Sequence, residues 1–202
     1  MLRNHGNSSG RCDPQGTTAR ASAPCFSEPN EAVTKSRKNT WVFGYGSLIW
    51  GTGGVKIIEC REGILTGWHR EWTWISKSRH GAPTCSLRRG GQVKGVFLRL
   101  NGQTTDEDLE EFRKRENRET EEISVETPEV GAITHFWTMG SNLEKYPELN
   151  GLTEKELPKA LAERAKSITS AGPDGVVAAD YIWWVHMFDR GDALTAAIAN
   201  YL

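Results

Sequence analysis

An α+β fold built on one mixed or antiparallel sheet is what this sequence predicts, and three observations point to it. Strand-like segments crowd into the stretch after Thr40, helical patterns dominate the last third, and no regular strand–helix alternation links the two. A small closed or half-closed barrel would accommodate such a run of strands. At 202 residues the chain has room for one good-sized core, with or without a tail.

The elements follow in order. Residues 1–40 are rich in Ser, Asn, Gly, Pro and Thr and carry a net charge of +3, whereas all eight Trp lie at Trp41 or beyond. A disordered tail is therefore predicted over 1–40 and one domain over 41–202. Asp13, Glu28 and Glu31 argue against reading the tail as a transit peptide. Trp41-Val42-Phe43 reads as a strand that runs into Gly44-Tyr45-Gly46-Ser47, where closely spaced glycines permit a tight binding loop. Further strands are expected at Ile57–Ile58, Ile64–Ile75, Thr84–Arg88 and Val93–Leu100, the last two joined as a hairpin through Gly90-Gly91. Thr105-Asp106-Glu107-Asp108 has the form of a capping box, and Arg113, Lys114 and Arg115 suit the negative end of a helix over 105–116. Strands at 122–126 and 132–139 precede a helix marked by Leu157, Leu161 and Ile168. A second helix over 178–188 is apolar nearly all round, and a short one over 192–201 closes the chain.

Composition narrows the function. A formal net charge of −1 provides no overall positive field to gather nucleic acid or anionic lipid, and no apolar run approaches the roughly 18 residues of a membrane span. Four cysteines without a CxxC spacing and an N-terminus without an apolar signal core predict reduced thiols in a cytoplasmic protein acting on small molecules.

Two features could carry chemistry. The glycine loop lacks the third glycine of a dinucleotide fingerprint, the Gly-Lys-Ser/Thr of a phosphate loop and the spacing of a nucleophile elbow. What it offers is a concavity of backbone N–H groups suited to a carboxylate, from a substrate or from a neighbouring side chain. Glu116 continues the stripe of Leu109 and Phe112, which puts a carboxylate on the buried face of its helix. Burial raises a carboxyl pKa toward neutrality, as a group that takes and returns a proton requires. The competing reading of Glu116 is a last-turn carboxylate paired with Arg113 or Arg115, or simply solvated as the helix ends. Cys60, His69, His80 and Cys85 are zinc-ligand types without a standard spacing, and core or hairpin positions explain them better. Trp72, Trp74, Lys77, Arg79, Arg88 and Arg89 mix aromatics with base, but core tryptophans beside a solvated basic rim explain them better than a single-strand nucleic-acid surface.

Trp41-Val42-Phe43-Gly44-Tyr45-Gly46-Ser47-Leu48-Ile49-Trp50 closely resembles the opening strand and loop of the ChaC-like γ-glutamylcyclotransferases. Leu65-Thr66-Gly67-Trp68-His69-Arg70, Gly95 to Leu100, Lys114-Arg115-Glu116, and Ala171 to Gly175 followed by Asp180-Tyr181-Ile182 fall in that family's order, so the resemblance spans about 41–201. It implies the family's small mixed β-barrel with packed helices. It also implies release of 5-oxoproline from glutathione, with Glu116 as acid/base and Phe43, Gly44, Tyr45, Gly46, Ser47 and Leu48 holding the γ-glutamyl group, and no metal or other cofactor. The chain departs from the pattern at Asn117 to Glu121, which has neither glycine nor tyrosine, and at Ser78-Arg79-His80-Gly81. Two other outcomes stay open: the same cyclisation on another γ-glutamyl amide or amine, and a binding module without turnover.

Overall fold

The computed structural model describes residues 40–52, 54–101, 105–116 and 120–202. The predicted tail up to residue 39, the Thr105 side chain of the capping box and residues 117–119 of the departing segment lie outside the described residues.

Strand β1 (Trp41–Gly44) is buried along its whole length and lies at the centre of a five-stranded sheet of order β2-β3-β1-β5-β4. It pairs antiparallel with β3 (Ala82–Leu100) and parallel with β5 (Ala132–Thr138). A strand covered on both faces needs an unbroken apolar run, and Trp-Val-Phe supplies one. Its side chains alternate between two cores. Trp41 and Phe43 face the larger, with Leu65, Trp72, Leu161 and Ile182, while Val42 faces a smaller one with Leu98, Leu109, Phe112 and Trp137. Strands β4 (Glu121–Thr127) and β5 form an antiparallel pair at one edge. Helix α1 (Thr105–Glu116) lays Leu109 and Phe112 over the smaller core, and Phe112 stacks on Trp137.

The central hairpin differs from the sequence expectation. Residues 84–88 and 93–100 do not form a hairpin with each other; they belong to one strand, β3, that pairs along its length with the equally long β2 (Ile57–Ser76). The reversal falls instead at Lys77–Gly81, where His80 and Gly81 take left-handed φ values of 58° and 84°. Gly90 and Gly91 lie opposite Gly67, all three with positive φ, at a register shift between Thr66 and Trp68. They bend a continuous ladder, which is the other use of glycine within a strand.

The bend also decides how far the sheet curls. The first half of β3 swings toward the end of β5, but side chains take the place of a ladder there. Thr138 Oγ1 donates to Leu87 O at 2.6 Å, and Ser86 Oγ donates to Met139 O at 2.7 Å while accepting from Met139 N at 2.8 Å. The sheet is therefore open, with β2 and β4 as its edges, and the expected barrel does not close.

Helices α2 (Leu157–Ser167), α3 (Ala178–Phe188) and α4 (Ala193–Ala199) cover the larger core. Ala178, Tyr181, Ile182 and Val185 form the i, i+3, i+4, i+7 stripe by which α3 buries one face. Trp183, Trp184 and Met187 of the same helix remain exposed. Among the described residues no helix is long and apolar enough to cross a membrane.

Candidate active site

The chain leaves β1 at Gly44, passes through Tyr45 and Gly46, and makes one 3₁₀ turn over Ser47–Ile49, in which Ile49 N–H bonds Gly46 O. This loop borders a cavity of about 640 Å³. The end of α1, the 77–81 reversal, the inner strands of the hairpin, the 173–174 turn and Tyr181 of α3 complete its wall.

Tyr45, Gly46, Ser47, Leu48 and Glu116, all expected in the site, line this cavity together. Phe43 and Gly44 do not. Phe43 is fully buried behind the loop against Phe97, and Gly44 is wedged against Leu48, so these two residues shape the loop from the core side. Gly46 is required on steric grounds, because a Cβ there would lie 2.7 Å from Tyr181 Oη and 3.0 Å from Cys85 Sγ.

The loop is held by a residue to which sequence reasoning gave no role. Arg70 of β2 is almost completely buried. It donates from Nε and Nη2 to Tyr45 O at 3.2 and 3.1 Å, from Nη2 to Lys94 O at 3.0 Å, and from Nη1 to Asp189 at 3.0 Å and Asp192 at 2.8 Å. Asp192 also caps α4 by accepting from Thr195 N at 3.1 Å. One guanidinium thus ties the loop to the joint between the last two helices. Its signal in the sequence is an arginine at the alternating position between Trp68 and Trp72, both of which point into the core.

Glu116 sits in the last turn of α1 with its side chain 23% exposed and an oxygen 2.8 Å from Arg115 Nη1. Both readings of this residue therefore meet in one place: it is paired with Arg115, and it faces the cavity. Burial pushes its pKa up, and the Arg115 and Arg79 charges pull against that shift without cancelling it. Arg115 Nη2 also donates to Ser47 Oγ at 2.9 Å. Arg113, the other partner considered, turns outward to Glu122 at 2.6 Å.

The far wall holds Arg79, bound to Asp174 at 2.5 Å and set 4.4 Å over the Tyr181 ring. Tyr181 Oη lies 3.0 Å from Cys85 Sγ, and Tyr45 Oη donates to Trp137 O at 2.5 Å. Burial, before any neighbouring charge, raises the pKa values of both tyrosines and of Cys85, so these groups hold their protons at neutral pH. Trp74 and its cross-strand partner Thr84 form an additional side. The arrangement joins a carboxyl group of raised pKa to the glycine loop, with the cationic side chains of Arg115 and Arg79 beside them.

The alternative clusters disperse. Cys60 is exposed and Cys85 is buried, His69 bonds Gly90 O, and His80 bonds Ala171 O. Trp72 is fully buried with Nε1 donating to Thr195 Oγ1 at 2.7 Å, and Arg88 pairs with Glu71 at 2.9 Å.

The fold defines the class first. Two crystal structures of a yeast γ-glutamyl cyclotransferase specific to glutathione superpose with TM-scores of 0.59 and 0.58, at 15% and 14% identity. Each superposition covers 81% of this chain, and 96% and 97% of those chains. This is therefore the γ-glutamyl cyclotransferase fold. Residues 40–135 match the family model described as ChaC-like protein. A glutathione-specific γ-glutamylcyclotransferase of Escherichia coli (strain K12) is 35% identical over 81 residues, which are 38% of this chain and 35% of the relative. The matched segment thus spans about a third of the length of that curated relative.

Proposed function

We propose that this protein is a glutathione-specific γ-glutamylcyclotransferase, with Glu116 as acid/base and the loop Tyr45 to Leu48 as the seat of the γ-glutamyl group. The observation that carries this reading is the meeting of the Glu116 carboxylate and the glycine loop in one cavity, joined through Arg115. The likeness to the E. coli relative supports glutathione as the substrate.

The chemistry is a ring closure within the substrate. Glu116 takes a proton from the α-ammonium of the γ-glutamyl residue, and the freed amine attacks the γ-carbonyl carbon of the same residue. The new C–N bond closes a five-membered ring. The old amide C–N bond then breaks as Glu116 returns the proton to the departing Cys-Gly nitrogen, and the second proton still carried by the ring nitrogen passes to that amine, leaving a neutral lactam and a Cys-Gly ammonium. Reactants and products balance without oxidant, hydride or water. A carboxyl group whose pKa is raised by burial is suited to both transfers, because it exchanges protons closer to neutral pH. Backbone N–H groups of the loop hold the substrate's α-carboxylate, and the cavity keeps the chain curled with the amine near the carbonyl. Orientation of this kind reaches effective molarities of about 10⁵–10⁸ M in favourable systems.

Purified protein and its Glu116→Gln variant are incubated with glutathione and, in parallel, with γ-glutamyl-alanine, and 5-oxoproline and the released amine are followed by mass spectrometry. Release of 5-oxoproline and Cys-Gly from glutathione by the parent alone supports the proposal. Turnover of γ-glutamyl-alanine in preference to glutathione would move the substrate to another γ-glutamyl amide. Arg79 and Ser78, which line the cavity at a departure from the family pattern, would be the residues to examine. A folded parent that is stabilised by glutathione without product would be a binding module.

A further inference from the structure

Arg115 Nη1 lies 2.8 Å from Glu116 Oε1, and Arg115 Nη2 lies 2.9 Å from Ser47 Oγ. The two contacts come from different nitrogens of one planar guanidinium, so the carboxylate and the loop hydroxyl are fixed relative to each other by a rigid fork. Ser47 stands at the start of the 3₁₀ turn and Glu116 in the last turn of α1, elements 68 residues apart when measured from Arg115 to Ser47. The Arg115 side chain is 22% exposed, so water only partly screens it.

We infer that Arg115 is a positioning residue of the proposed reaction: it locks the Glu116 carboxylate to the γ-glutamyl-binding loop through Ser47 and keeps Glu116 able to release its proton. This rests on the acid/base reading of Glu116. The alternative source of order, packing alone, would place Glu116 without controlling its protonation.

The charged and titratable groups around Glu116 support the second half of the inference. Arg115, Lys114 and Glu111 belong to α1, Arg79 to the hairpin reversal, Tyr45 to the loop, Cys85 to β3, Asp174 to the 173–174 turn and Tyr181 to α3. Asp174 is engaged with Arg79, and Lys114 with Glu111. Burial favours the neutral acid at Glu116, and Arg115 is the strongest influence in the other direction, ahead of Arg79. Without Arg115 the carboxyl group would hold its proton to higher pH, and the base form needed for the first transfer would appear later.

The test is the pH dependence of kcat/KM for 5-oxoproline release from glutathione, between about pH 5 and pH 9, for the parent, Arg115→Met, Arg115→Lys, Ser47→Ala and Glu116→Gln. In folded Arg115→Met the acid limb is expected about one pH unit or more above that of the parent, a shift of the size that one close opposite charge produces. Ser47→Ala removes only the loop end of the bridge; KM should rise about fivefold, as for one lost hydrogen bond, with the limb unmoved. A purely structural arginine would lower Tm and the active fraction and leave the limb in place. An unmoved limb in folded Arg115→Met, beside an inactive Glu116→Gln, overturns the inference alone. An unchanged KM in Ser47→Ala overturns its loop half. Turnover by Glu116→Gln overturns the acid/base reading and this inference with it. If Arg115→Met does not fold, Arg115→Lys decides, because one ammonium cannot hold both partners: a folded Lys variant with limb and KM both unchanged overturns the inference.

Discussion

Arg70→Met removes the cation that ties Tyr45 to the joint between α3 and α4 while keeping an apolar stem of similar length. The guanidinium has five hydrogen-bond contacts, two of them to Asp189 and Asp192, whose side chains are 14% and 11% exposed. Removing one partner of a buried ion pair costs about 3–5 kcal/mol, because a charge is left where water reaches it poorly. The low end applies here, since Asp189 keeps the Lys94 N–H and Asp192 keeps Thr195. A loss of about 3 kcal/mol is a large share of the roughly 5–15 kcal/mol that holds a domain folded. At about 2–4 °C per kcal/mol for a chain of this size, Tm should fall by about 6–12 °C. Urea denaturation followed by circular dichroism gives the free energy directly, and adding Asp189→Asn and Asp192→Asn should recover part of the loss. A decrease below about 1 kcal/mol would refute the reasoning and place the network among screened surface pairs.

Three further outcomes are expected. Glu116→Gln should raise thermal stability near neutral pH and lose that advantage in acid. A carboxyl group with a raised folded pKa is favourable below its unfolded pKa and loses stability as pH rises, so the amide relieves a cost present only at higher pH; melting curves that differ equally at low and neutral pH would contradict this. Gly95→Ala should destabilise by about 3 kcal/mol or more, since the new Cβ would lie 2.3 Å from Phe43 Cζ and 2.5 Å from the Gly44 carbonyl oxygen, and equilibrium unfolding measures it. Asn142→Ala should cost about 2–3 kcal/mol in the same assay, because Asn142 accepts from Ile75 N at 2.8 Å and donates to Ile75 O at 3.0 Å, and its loss strands buried backbone groups.

Local patterns were legible before any coordinates. The apolar run of Trp41 to Phe43, the acidic start and basic end of α1, and the stripe of α3 each follow from interactions within a few residues, and all three elements form where they were expected. The buried face of α1 likewise announced a carboxylate at Glu116, because helical periodicity fixes direction as well as class. The double glycine at 90–91 misled for a physical reason: a positive φ serves a turn and a bulge equally well, and the long partner strand decides between them.

Tertiary structure decided what depends on distant partners. Only the fold could put Arg70 between Tyr45 and residues 119 and 122 positions away, or Arg79 against Asp174 across 95 positions. Only the curl of the hairpin could leave the sheet open, with Ser86 and Thr138 bridging where a barrel would have paired backbones. Sequence by itself determined the elements and the residues able to do chemistry, since propensity and periodicity are local. Which of those residues meet in one cavity, and which, like Phe43 and Gly44, support it from behind, was decided by long-range packing and by burial, which sequence spacing does not encode.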